Sequence, residues 1–116
     1  MQNGMDMARR AYAASAAHRS PREQEAEVFR RATAALRNGR ASNPVAQVRA
    51  LADNARLWGA VIDLMRDPQN ALPADLRASI VSVGLAVQRE MQSDAPDFDF
   101  LIGVNEDIAA GLAMTG

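Results

Sequence analysis

The densest apolar patterning in the chain runs from Val45 to Met65, around its sole tryptophan, Trp58. One row at helical spacing holds Val48, Leu51, Ala52, Ala55, Trp58, Ile62 and Met65; a second, about a third of a turn round, holds Leu57, Val61 and Leu64. A helix apolar over that much of its surface has to be covered on several sides. Either three neighbours of the same chain surround it, or two do and a partner protein supplies the rest. Trp58 shares the first row with Val48, Ala55 and Ile62, which favours an anchoring place in the bundle interior with any groove running alongside, and leaves a place in the groove itself as the alternative.

The flanking segments supply the other elements. Residues 1–19 show no strong helical period and read as a mobile N-terminal arm whose one large side chain is Tyr12. Ser20-Pro21-Arg22-Glu23 has the form of a capping box with proline at the first helical position. The helix it opens would bury Ala26, Phe29, Ala32, Thr33 and Leu36, and Asn38-Gly39 is expected to end it with a left-handed cap. Pro44 opens the central helix, and Asp67-Pro68 stops it, because a residue before proline is pushed out of the helical region. A third helix is predicted from Pro73 to about Gln92, with Leu76, Ile80, Val83, Val87 and Met91 on one side and Val81 and Leu85 on another. After the break around Pro96, Asp97 or Asp99 can cap a last helix that carries Leu101, Val104, Ile108 and Leu112 on one face. Short links make neighbouring helices antiparallel. The expected fold is therefore all-α: one domain over residues 20–116, an antiparallel bundle of about four helices, preceded by the arm.

Composition narrows the picture. A chain of 116 residues is long enough for one modest core and too short for two. Only 4% of residues are aromatic, and the alanine-rich remainder favours closely packed helices. With no cysteine, disulfides and thiolate metal sites are excluded. No stretch is long and apolar enough to span a membrane or to serve as a signal-peptide core, so a cytoplasmic location is expected.

Charge is divided unevenly. Residues 1–52 hold nine arginines against four acids, a balance of +5, whereas residues 53–116 hold four against ten, a balance of −6. The two halves can cancel by facing each other in one bundle, or the basic half can meet an acidic partner or RNA. Against RNA stand the low pI of about 5.7, the glutamates interleaved with the arginines of the first helix, and the scarcity of stacking aromatics.

Candidate chemistry is sparse. His18, the only histidine, falls in the arm, where nothing holds partners rigidly around it. Asp94, Asp97 and Asp99 cluster without the glycine and closing glutamate of a calcium loop. No phosphate-cradling glycine motif occurs, no metal site or cofactor is implied, and no poised acid, base or nucleophile points to an enzyme. The interior glycines Gly59, Gly84, Gly103 and Gly111 each cost about 1 kcal/mol against alanine in a helix. Close helix crossing, or a groove for a partner's side chains between the second and third helices, would offset that.

Several blocks in order, Ala11-Tyr12-Ala13, Ser20-Pro21-Arg22-Glu23 with Glu25 and Phe29, Asp53-Asn54 with Leu57-Trp58, Asn70-Ala71-Leu72-Pro73, and Asn105 with Gly111-Leu112, give the chain its family likeness. It resembles the flagellar biosynthesis regulator FlaF of alphaproteobacteria. The resemblance implies a small cytoplasmic protein needed for flagellin production and secretion, acting with the translation regulator FlbT. A flagellin-binding chaperone or adaptor suits the apolar surplus; a regulator acting on flagellin mRNA, directly or through FlbT, is the alternative. The flagellin partner would offer an amphipathic terminal segment to a groove made by Leu57, Trp58, Val61, Leu64, Val81 and Leu85. Tyr12 would close over it, and Asn54 and Arg56 would anchor its rim. Self-association of the free protein is a further way to hide such a groove.

Overall fold

A computed structural model describes residues 21–115, with side chains described for 24–111. The arm with Tyr12 and His18, and the cap assigned to Ser20, lie outside the described residues. Four helices make up the described chain: α1 Pro21–Arg40, α2 Pro44–Arg66, α3 Ala74–Met91 and α4 Phe98–Thr115. Among the described residues there is no strand.

The capping chemistry mostly follows the sequence. Asn43 caps α2 by accepting from the Ala46 N–H at 2.9 Å, ahead of Pro44 in the first turn. Asp97 caps α4, accepting from the Phe100 N–H at 3.0 Å. The end of α1 departs from expectation. Gly39 is helical rather than left-handed, and α1 continues to Arg40. Its role is close approach: a Cβ there would lie 3.2 Å from both the Ala46 carbonyl oxygen and Ala50 Cβ, so the absent side chain lets α1 and α2 draw together.

Consecutive helices run antiparallel in a four-helix bundle whose broad interfaces are α4 with α1, α1 with α2, and α2 with α3. The pair α3 and α4 has no interface of comparable breadth, so the bundle is open on that side. The core gathers Phe29 and Leu36 of α1, Ala50 and Trp58 of α2, Val87 of α3, and Leu101, Ile102 and Ala109 of α4.

The rotational setting of two helices differs from the expected rows. In α2 the buried line is Ala50, Asn54, Trp58 and Ile62, while Val48 is 65% exposed and Ala52 and Ala55 are exposed. In α4 the buried residues are Leu101, Ile102, Asn105 and Ala109, with Val104 and Ile108 only half-buried. In both cases the missed positions include an asparagine, turned inward where its polar atoms find partners.

Candidate functional site

The centre of the molecule is a buried polar chain through Trp58. Trp58 Nε1 donates to Asn105 Oδ1 at 2.9 Å, and Asn105 Nδ2 donates to Asn54 Oδ1 at 2.7 Å. Asn54 Nδ2 in turn lies 3.3 Å from Met91 Sδ, a weak acceptor. Trp58, Asn54 and Asn105 are all fully buried, and among the described residues no buried side-chain polar atom lacks a partner. The chain joins α2, α4 and α3. From α1, Phe29 meets the indole edge-on, with ring centroids 5.6 Å apart and planes at 79°. Trp58 is thus touched by all three other helices.

Gly84 explains how α3 reaches the indole. A Cβ at that position would stand 2.8 Å from Ile62 Cγ1 and 3.1 Å from Trp58 Cε3. Close crossing therefore accounts for Gly84, but not for Gly59, Gly103 or Gly111, where a Cβ would meet no described atom of another helix within 4 Å.

The links are tied as firmly as the core. Asn70 Nδ2 donates to the Leu64 carbonyl at the end of α2, and its Oδ1 accepts from the Leu72 N–H, both at 2.9 Å. Arg77 reaches back from α3 to the Leu72 carbonyl at 3.0 Å. In the next link, Glu90 Oε2 accepts from the Asp97 N–H at 2.9 Å. These links set where α3 and α4 leave the core.

The sequence-derived binding residues occupy different environments. Trp58 and Asn54 are wholly interior, so Asn54 is a core hydrogen-bonding residue in the free chain and not a rim anchor. Leu57 and Val61 are half-buried against the core, and Leu64 is 52% exposed. Arg56 is exposed and paired with Asp53. Val81 is half-buried and Leu85 exposed. A shallow crevice does run between α2 and α3, but its walls are Leu51, Ala52, Ala55, Gln88, Met91 and Gln92, none of them in the expected set. Tyr12 lies outside the described residues. What sequence reasoning missed was the function of Asn105, whose only signal was its place in an otherwise apolar stretch of α4.

Four of the five basic-half arginines whose side chains are described are engaged. Arg30 and Arg31 pair with Glu27 along α1, while Arg37 pairs with Glu106 at 2.9 Å and Arg40 with Asp99, both across to α4. The Arg30 hydrogen bond holds the Glu27 carboxyl below its ordinary range. The charge asymmetry between the two halves is thus partly met inside the bundle.

The family model described as flagellar protein FlaF matches residues 8–112, nearly the whole chain. The chain belongs to the FlaF family. No curated protein and no solved structure matches it. Within this FlaF-family chain, the blocks that carry the likeness acquire structural roles: Asn54, Trp58 and Asn105 form the buried polar chain, and Asn70 secures the second link. Among the described residues, no helix is long and apolar enough to cross a membrane, and no group of three or more acids or histidines could hold a metal ion.

Proposed function

We propose that this FlaF-family protein is a flagellin-binding chaperone or adaptor that works in the cytoplasm by covering an amphipathic segment of flagellin before secretion. The observation that carries this reading is apolar surface left over after the bundle has formed. Val28, Val45, Val48, Leu64 and Leu76 are each 46–65% exposed, on a chain whose core is already closed around Trp58. Apolar side chains distributed over helix faces suit the docking of another helix. Nothing comparable supports chemistry, so the protein acts by binding. FlbT is a second partner in this reading, joined to the same task of matching flagellin supply to export.

Direct action on flagellin mRNA is the weaker reading, because Arg30, Arg31, Arg37 and Arg40 already have carboxylate partners. Size-exclusion chromatography with light scattering, on the purified protein alone and mixed with purified flagellin, tests the proposal. A complex with the summed mass is expected. Separate elution at concentrations well above those in the cell would sink it.

A further inference from the structure

The open side of the bundle has a composition of its own. On α3, Leu76, Ile80, Val83 and Val87 follow one another at helical spacing; Val87 is fully buried and joins the core, Ile80 is half-buried, and Val83 and Leu76 are 36% and 46% exposed. On α4, Phe100, Val104 and Ile108 form a row on the side away from Asp99 and Glu106, the two residues that bind α1. Val104 and Ile108 are half-buried and Phe100 is 41% exposed. Both rows therefore run outward from the shared core residues Val87 and Leu101 onto the side where α3 and α4 have no broad interface. Gly111 continues the α4 row one turn beyond Ile108, and no described atom would touch a Cβ placed there. Among the described residues, the space beside it is open.

Among the described residues, the charge bordering this side is of one sign. Glu90 borders the α3 row and Asp107 the α4 row, while Asp94 and Asp97 lie in the connection that closes one end. Helix α4 contains no basic residue. Arg77 is turned to the carbonyls of Leu72 and Met65, and Arg89 stands about 200° round α3 from Val87. An apolar trough whose described borders carry carboxylates disfavours anionic membranes and nucleic acids, and complements a helix whose apolar stripe is flanked by lysine or arginine.

We infer that the open α3–α4 side docks one amphipathic helix of a partner protein, with an apolar stripe against Val83, Phe100, Val104 and Ile108 and basic flanks toward Glu90 and Asp107. The inference rests on the proposal that the protein is a partner-binding chaperone, and it moves the binding face from the α2 row to the open side. The docked helix would fill the bundle's missing contact and would account for Gly111, whose bare backbone lets a neighbouring helix approach closely.

The test uses the full chain and a fluorescently labelled synthetic amphipathic peptide with a leucine face and lysine flanks, read by anisotropy, beside the same peptide with glutamate flanks. The lysine peptide is expected to bind, and the glutamate peptide to bind at least about tenfold more weakly. Phe100→Glu should weaken the lysine peptide about tenfold or more. Gly111→Phe should do the same by filling the trough from a helix-compatible position, so a folding defect at Phe100 does not decide the result. Asp107→Asn should weaken it a few-fold, and Ala60→Asp, at an exposed α2 position outside every candidate binding surface, should leave it unchanged. Equal binding of the two peptides, no binding of the lysine peptide, or indifference to both Phe100→Glu and Gly111→Phe overturns the inference. So does a dimer of the free chain that Gly111→Phe splits, since a second copy would then be the occupant. Repeating the series with purified flagellin separates the two ideas. Flagellin bound equally by all variants removes the open side alone, and peptide binding without flagellin binding removes the chaperone reading alone.

Discussion

Two glycines in helix interiors predict opposite outcomes for the same substitution. Gly84→Ala adds a methyl group where Ile62 and Trp58 leave 2.8–3.1 Å, so overpacking should outweigh the gain in helix propensity and cost about 1–3 kcal/mol. Gly103→Ala adds the same methyl group in open space and should stabilise the protein by about 0.4–1 kcal/mol. Urea unfolding of the two variants checks both, and midpoints shifted the same way would contradict the packing described for Gly84. Asn105→Leu removes the acceptor for the Trp58 N–H and the donor to Asn54, at about 1–3 kcal/mol for each buried group left unpaired. At this scale Trp58 was legible and Asn54 was not. A large aromatic on an apolar row announces burial, whereas an asparagine in a helix reads as surface unless its partner is known. That partner lies 51 residues away.

Element boundaries follow local chemistry, and local chemistry is written in the sequence. Pro44 after Asn43, and Asp67 before Pro68, set the ends of α2 where they were expected. Asn43→Ala should lower the unfolding midpoint by the equivalent of about 1 kcal/mol, since the Ala46 N–H would lose its acceptor. Rotation about the helix axis was less legible. The apolar residues of α2 occupy several faces, so hydropathy alone could not choose the line Ala50, Asn54, Trp58 and Ile62, and the choice is made by Gly39 and Gly84 admitting α1 and α3. For the same reason hydropathy could not show that the row of Leu57, Val61 and Leu64 turns partly onto the core, or that a crevice beside α3 is lined by other residues. On α1, Glu27 has a depressed carboxyl, so what its pairing contributes is present above the unfolded pKa and disappears as pH falls through the folded one. A stability difference between wild type and Glu27→Gln should therefore shrink on acidification, in thermal unfolding followed from neutral pH downward.

For the molecule as a whole, the sequence specified four antiparallel helices but not which pair would stand apart. Connection lengths constrain sequential neighbours, whereas the meeting of α1 with α4 depends on contacts between the two ends of the described chain, including Arg37 with Glu106 and Arg40 with Asp99. That meeting has a consequence for biosynthesis. Of the four described helices, α1 leaves the ribosome first and α4, one of its two main neighbours, leaves last. Until α4 emerges, the nascent chain has neither the acceptor for the Trp58 N–H nor the surface that Ile102 and Ala109 supply to the core. Ribosome-bound chains arrested after Met91 should accordingly be cut readily by added protease, and chains released after α4 should resist it. Equal resistance would mean that the first three helices close without the fourth.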